Sequence, residues 1–456
     1  MFVNREAEIS RLERVLDRDN AQMVVIYGRR RCGKSTLLKR VMNDTTAYFA
    51  ADMREMPLQI KALAQRIEQF IPGFASPVYP GWDSLFRSLN NALRSHITLC
   101  IDEFPYLVKN SPELPSILQN IHDDRAHSNF TIILCGSSQM MMHGLVLDNS
   151  APLYGRADEI IKIQPMSAAH LKRFLGVSAD EAVTEYSIWG GVPRYWELRK
   201  SSGTLDAALR EHLINQYGVL ADEPERLFSD EIRTSVQAFT LLSLIGSGCH
   251  RLSELAARMG KPATNLSNAL AFLTELKYIR REIPFGESLR STKRSLYKID
   301  DPFLNFYFTF ILPEKSRIDL GLSAQVIKEV KKKMPLYTSF IWEELCRQSV
   351  PFIINNEEFK QASRWWGKGI DGTPLEIDVV SESVDKKRLL VGEAVWSEKG
   401  DLTSIASELL IKAGKLPFAR NFKVMPVLFV RKKSALSLPG IMVFDPEDVV
   451  KEFKYS

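Results

Sequence analysis

Little in this sequence points away from an ordinary globular chain. The five cysteines (Cys32, Cys100, Cys135, Cys249, Cys346) are odd in number and scattered, and no two form a C-x-x-C pair. That usage argues against a disulfide framework or a thiolate zinc site and suits a reducing cytoplasm. No apolar run is long enough to span a bilayer: the longest, Phe303 to Leu312, is interrupted by Asn305. No apolar segment follows Met1-Phe2-Val3-Asn4-Arg5-Glu6, so no signal peptide is expected. Neither sign of charge dominates. A net charge of +5 over 456 residues permits an acidic partner such as nucleic acid without demanding one. The expectation is a soluble cytoplasmic protein with no membrane partner, and the length calls for roughly three domains.

The stretch from Val24 to Thr36 carries the strongest signal. Val24-Val25-Ile26-Tyr27 runs into Gly28, Arg29-Arg30-Arg31-Cys32 follow, and Gly33-Lys34-Ser35-Thr36 opens a helical pattern to Val41. Strand, G-x-x-x-x-G-K-S and helix are the parts of a phosphate-binding loop. Its glycines let backbone N–H groups curl around a phosphate, and the helix N-terminus adds positive potential. Gly28 to Thr36 are thus expected to bind nucleotide, with Lys34 on the β- and γ-phosphates and Ser35 on Mg²⁺. No Asn-Lys-x-Asp motif is present, so guanine recognition is not expected and ATP is the candidate nucleotide.

Alternating strand and helix patterns surround this loop. Phe2 to Leu16 reads as a capped amphipathic helix, Ala47 to Ala51 as a strand, and Leu58 to Phe70 and Trp82 to Arg94 as helices. Ile97 to Ile101 is a buried strand that ends in Asp102-Glu103. There Asp102 would hold the Mg²⁺ shell and Glu103 would polarise the attacking water. The strand Phe130 to Cys135 ends in Gly136-Ser137-Ser138, where a hydroxyl either senses the γ-phosphate or belongs to a plain turn. Arg156, before the strand Glu159 to Ile163, is either a solvated side chain or the cation that stabilises transition-state charge, in cis or from a neighbouring subunit. The alternation predicts a parallel sheet covered by helices.

Phe2-Val3-Asn4-Arg5-Glu6, the phosphate loop, Ile101-Asp102-Glu103-Phe104, Leu153-Tyr154-Gly155-Arg156 and Trp189-Gly190-Gly191-Val192-Pro193-x-Tyr195 together resemble one family. It is the archaeal-type ATPase family of the STAND class, relatives of AAA+ ATPases, and the resemblance spans essentially the whole chain. It implies a P-loop ATPase core over 1–165 and a helical lid over 166–225, with Pro193 near the adenine. Helical patterns at His170 to Leu175, Ala179 to Trp189 and Leu205 to Tyr217 fit the lid.

Residues 226–312 follow the order of a winged helix-turn-helix: helices Ile232 to Ile245, Leu252 to Met259 and Ala263 to Leu276, then a ribbon Tyr278 to Phe285 and Ser295 to Ile299. The third helix would show Lys261, Thr264, Asn265, Asn268 and Glu275, a thin basic footprint for reading double-stranded DNA. Arg290, Lys293 and Arg294 at the wing tip could meet phosphates. In the resembled family this module often packs as a switch. An aromatic helix, Phe303 to Leu312, leads to residues 313–456, whose order of elements resembles the restriction-endonuclease-like fold. That likeness implies a second metal site from Asp378 and Glu393, with Glu344 as the candidate third carboxylate. Val395 stands where the likeness calls for lysine, and Lys399 or Lys412 is the alternative cation. Because metal-assisted cleavage needs its full set of charges, a degenerate binding or scaffolding domain is expected. The basic run Lys331-Lys332-Lys333 reads as a solvated helix face.

The expected function is that of an Mg²⁺-dependent ATPase acting as a nucleotide-driven switch, with or without DNA and as a possible homo-oligomer. The alternatives are an ATP-regulated DNA nuclease and a non-hydrolysing, nucleotide-gated interaction protein.

Overall fold

A computed structural model describes residues 4–18, 20–125, 128–231, 235–290, 292, 294–354, 358–397, 401–433 and 438–453. The sequence readings placed on Phe2, Val3, Ile232, Lys293 and Lys399 lie outside the described residues. The chain divides into two compact units, residues 1–165 with 227–233, and residues 166–226 with 234–456.

The first unit is built on five strands: β1 (Met23–Tyr27), β2 (Thr46–Ala50), β3 (Ile97–Asp102), β4 (Phe130–Gly136) and β5 (Glu159–Lys162). They pair in the order β2-β3-β4-β1-β5, all parallel. Every residue of β1, β3 and β4 is buried, which is why these strands read as continuous apolar runs rather than alternating ones. The helices Met56–Ile67 and Trp82–Ala92 turn Ile60, Leu63, Trp82, Leu85 and Leu89 into one core with Val25, Leu99 and Leu134. Ligands of open parallel sheets meet the C-terminal ends of the strands. Here β1, β3 and β4 deliver the phosphate loop, Asp102-Glu103 and Ser137 to that one edge.

The N-terminal helix runs Glu6–Leu16, one residue after the expected motif, and no side chain caps it. The expected cap is replaced by Arg5, in left-handed backbone (φ 93°), whose guanidinium reaches elsewhere.

The second unit opens with helices Ala168–Leu175, Ala179–Trp189 and Pro193–Ser201. The segment expected to be helical from Leu205 to Tyr217 is a short α-helix, Leu205–Ala208, that widens into a π-turn over Leu209–Leu213 and then stops. Helices Ser235–Gly246, Leu252–Met259 and Ala263–Glu275 follow, then a two-stranded antiparallel hairpin of β6 (Ile279–Glu282) and β7 (Leu296–Ile299). Pro262 stands at the N-cap position of the third helix. The aromatic segment begins as a helix, Pro302–Phe306, with the Asp301 carboxylate accepting from the Leu304 N–H at 2.8 Å. It then passes through a π-turn, Tyr307–Ile311.

The helix Ser323–Ile353 leads to a mixed sheet of β8 (Ser363–Lys368), β9 (Pro374–Glu382), β10 (Arg388–Val395), β11 (Lys423–Val430) and β12 (Met442–Phe444), ordered β12-β11-β10-β9-β8. β8 to β10 are antiparallel, and β10, β11 and β12 are parallel. The helix Leu402–Gly414 covers this sheet through Ala406, Leu409 and Ala413. No helix among the described residues is long and apolar enough to cross a membrane.

Candidate functional site

The loop between β1 and the helix Lys34–Val41 is shaped by two glycines. Gly28 has φ +154°, and a Cβ there would overlap the Ile163 carbonyl oxygen. Gly33 has φ +93° and precedes the helix as its cap, a conformation that costs glycine little and other residues more. Helix spacing turns Leu37 and Leu38 into the core and leaves Ser35 and Thr36 exposed at the first turn. The orphan N–H groups of that turn are the ones a phosphate would take up. Lys34 is buried, and its Nζ donates to the carbonyls of Gly28 at 2.8 Å and Arg29 at 3.1 Å. The ammonium is thus folded back over the loop it would share with a phosphate. Arg29 and Cys32 are also buried, whereas Arg30 is exposed. Arg31 takes left-handed backbone, φ 66°.

The carboxylates at the end of β3 meet this loop. Ser35 Oγ donates to Asp102 Oδ2 at 2.8 Å, and Asp102 is buried. Tyr48, on β2, donates its hydroxyl to the same oxygen at 2.7 Å, a contact that no sequence motif announces. Asp102 Oδ1 accepts the Glu103 N–H at 3.0 Å. Glu103 has left-handed backbone, φ 55° and ψ 41°, at the start of the helix Phe104–Asn110. Its Oε2 accepts from the N–H and the hydroxyl of Ser137 at 3.2 and 2.8 Å. The Ser137 hydroxyl therefore faces Glu103, one of the two readings left open by the sequence being a plain turn. The neighbouring Ser138 caps the short helix Gln139–Met142.

Arg5 ties the N-terminal helix to this site. Its Nη2 donates to the carbonyls of Cys32, in the phosphate loop, at 3.3 Å and of Gln164 at 2.6 Å. Glu8 balances the buried charge at 2.8 Å.

Arg156 lies elsewhere. Its guanidinium grips both oxygens of Asp123, at 2.9 and 3.0 Å. β5 runs parallel to β1 with Glu159 opposite Val24, so Arg156 precedes the N-terminal ends of the strands while the loop leaves the C-terminal end of β1. A five-residue strand, roughly 16 Å, separates the two edges. The expectation of a role in cis is corrected accordingly: within one chain Arg156 serves Asp123. Pro193, in the second unit, opens the helix Pro193–Ser201 and is half-buried.

The second expected site is only partly assembled. Glu344 does not join Asp378 and Glu393. Its carboxylate pairs with Arg280 at 3.3 Å and Arg347 at 3.1 Å and accepts from Gln348 at 2.9 Å. Although burial opposes it, Arg280 and Arg347 pull the Glu344 carboxyl down to about 2. The adjacent Glu343 is the acid that senses Asp378: burial, and then the Asp378 charge, push it up to about 7. On a helix one residue is a turn of about 100°, enough to exchange the two roles. Asp378 Oδ2 accepts the Ala394 N–H at 3.1 Å, and Glu393 pairs with Lys412 at 3.0 Å. Lys412, on the helix Leu402–Gly414, thus supplies a cation where Val395 cannot. No group of three or more His, Cys, Asp or Glu side chains among the described residues is arranged to hold a metal ion.

Burial and the neighbouring Asp378 push the Glu393 carboxyl up to about 8. Between the ordinary glutamate range and that value the folded chain keeps a proton that the unfolded chain has released. Stability is therefore expected to fall as pH rises through this window. Urea unfolding of the second unit's sheet should shift to lower midpoint between pH 5.5 and 8, and Glu393→Gln should flatten the change. An unaltered slope in that variant contradicts the assignment.

The hairpin is docked rather than free. Phe285 N–H donates to the Arg364 carbonyl of β8 at 2.9 Å, and the Phe285 ring lies 5.4 Å from that of Phe418. Arg294 donates to the Trp366 carbonyl at 3.1 Å and pairs with Glu287. Arg290 is exposed, as are Lys261, Thr264, Asn265, Asn268 and Glu275 along the third helix. Lys331, Lys332 and Lys333 are exposed too, Lys331 pairing with Asp206.

A parallel sheet whose strand edge presents a lysine folded over a glycine-shaped loop and a serine bonded to an aspartate defines a P-loop nucleotide-binding protein. A family model described as an ATPase domain predominantly from Archaea matches residues 2–198. A second, described as archaeal and bacterial proteins of unknown function, matches residues 307–405. An uncharacterized protein of Methanocaldococcus jannaschii is 31% identical over 459 residues, covering 98% of this chain and 100% of that one. An uncharacterized ATP-binding protein of the same organism is 43% identical over 44 residues, 10% of this chain and 75% of that one. Among solved structures, the Walker-type ATPase of Pyrococcus abyssi superposes with a TM-score of 0.53 at 23% identity, over 67% of this chain and 96% of that one. The chain belongs to the archaeal-type P-loop ATPase family.

Proposed function

We propose that this chain is an Mg²⁺-dependent ATPase whose nucleotide state drives a switch. The observation that carries the proposal is the contact of Ser35 Oγ with Asp102 Oδ2 at 2.8 Å beside the Lys34 ammonium. Two hard oxygen donors next to a phosphate cradle are the donor set Mg²⁺ takes up alongside phosphate oxygens. Bound there, the ion would neutralise charge building on the phosphates. Lys34 would exchange its two carbonyl partners for phosphate oxygens, and the loop N–H groups would orient the chain of phosphates. Glu103 would accept the proton of the attacking water at Oε1 or Oε2, with Ser137 holding that carboxylate. Pro193 at the adenine, and Arg156 in trans within a homo-oligomer, follow from the family resemblance.

The switch would act through a division of the chain into an ATPase core over 1–165, a lid over 166–225, a winged helix over 226–312 and a restriction-endonuclease-like domain over 313–456. Double-stranded DNA is the proposed partner of the winged helix. The exposed face of the helix Ala263–Glu275 supports that reading more than the docked hairpin does. The C-terminal domain is proposed to bind or scaffold rather than cut, since Glu344 is withdrawn into its arginine pairs.

Phosphate release at millimolar ATP, measured with Mg²⁺ and with EDTA and each with and without duplex DNA, tests the proposal. Release that requires Mg²⁺ is expected. Release at background in all four conditions would contradict it.

A further inference from the structure

Asp102 carries one more donor than the phosphate-loop pattern requires. β2 and β3 pair in parallel with Ala50 opposite Asp102, which makes Tyr48 the diagonal neighbour of Asp102. Diagonal neighbours in a sheet are within reach of an aromatic side chain. Alternation along β2 sends Ala47 and Phe49 into the core and Tyr48 to the other face. From there its hydroxyl donates to Asp102 Oδ2 at 2.7 Å, the oxygen that also accepts Ser35 Oγ at 2.8 Å. The other side of Tyr48 faces an open groove with Arg54, Ala62, Gln65 and Arg66.

Besides the buried Cys135 thiol, three donors meet Asp102, and they differ in kind. Ser35 belongs to the loop that receives the phosphate, and the Glu103 N–H belongs to a turn of uncommon backbone. Tyr48 stands on a paired strand and has a rigid ring. An aspartate carboxylate otherwise rotates over a broad, two-fold torsional well. Partners that fix a ligand from behind typically account for roughly 10–100-fold in metal affinity.

We propose that Tyr48 is a positioning residue for the metal: its hydroxyl locks the Asp102 carboxylate against Ser35 and thereby sets the affinity of the site for Mg²⁺ rather than for the nucleotide. The proposal rests on the reading above that Ser35 and Asp102 hold Mg²⁺.

Tyr48→Phe keeps the ring and removes only the hydroxyl. Binding of a fluorescent, non-hydrolysable ATP analogue is measured in EDTA and across an Mg²⁺ titration, and free Mn²⁺ is counted by electron paramagnetic resonance with the same analogue present. In EDTA the variant should bind the analogue like wild type. The Mg²⁺ or Mn²⁺ needed for half-saturation should rise roughly tenfold or more. An unchanged or lower metal requirement overturns the assignment of Tyr48. If wild-type binding is itself indifferent to metal, the metal reading of Ser35 and Asp102 falls first, and Tyr48 with it. If Tyr48→Phe lowers the nucleotide-free melting temperature, the comparison is made in an Asp102→Asn background. There the loss of the hydroxyl should leave the metal requirement where Asp102→Asn alone puts it, and a further rise contradicts the proposal.

Discussion

Replacing Glu103 by glutamine is expected to lower steady-state phosphate release by roughly 10²–10⁴-fold, the range a positioned general base supplies, while ATP affinity stays within a few-fold of wild type. Glutamine keeps the shape and an acceptor oxygen for the Ser137 N–H and hydroxyl, but it cannot take a proton. Glu103 holds left-handed backbone, φ 55°, which is uncommon for a residue with a side chain. Such conformations persist only where the surroundings over-determine them. Here β3 ends, Pro105 opens the next helix and Ser137 holds the carboxylate. Equal turnover in wild type and variant would remove Glu103 from the chemistry.

Gly28→Ala is expected to lose both stability and nucleotide binding. The new Cβ would overlap the Ile163 carbonyl oxygen, which is backbone and cannot swing aside. At φ +154° the change carries backbone strain besides. Ile163 N–H bonds the Tyr27 carbonyl at 2.7 Å, so relief of the overlap has to pull β5 from β1 at the root of the loop. Overpacking of this kind costs about 1–3 kcal/mol, a fall of roughly 2–12 °C in melting temperature for a unit of this size. Gly33→Ala is the control. Nothing lies within 4 Å of its added Cβ, so only the strain at φ +93° remains and the loss of stability should be smaller. A Gly28→Ala protein with wild-type melting and ATP binding would show that the approach to β5 does not shape the loop.

The contrast between these two glycines marks how far the sequence could be read. Their spacing with Lys34 and Ser35 is local information, and so is the Asp102-Glu103 end of an apolar strand. Both were legible because the chemistry resides in consecutive residues. Tyr48 was not, since its contact with Asp102 depends on the register of two strands far apart in the chain. Arg5 reaches Gln164 across 159 residues, and no periodicity encodes that. Glu343 and Glu344 differ by one helical step, which apolar patterning does not resolve among carboxylates. Within one chain Arg156 falls away from the loop, pairing with Asp123, for a topological reason. It is close in sequence to the strand beside the loop, but it stands before that strand begins rather than after it ends. The five strands of the first sheet followed from β-branched and apolar runs. Helix ends at Leu213 and Glu275 shifted by one to four residues, where turns outcompete an intrinsic preference for helix.

The most direct test of the account is a calorimetric titration of the wild-type chain and Lys34→Ala with ATP and Mg²⁺. One site per chain is predicted for wild type, with affinity weakened at least tenfold in Lys34→Ala, the equivalent of one lost charge-assisted contact. A wild-type chain that takes up no ATP at millimolar nucleotide and magnesium, or a variant that binds it equally well, would contradict the account.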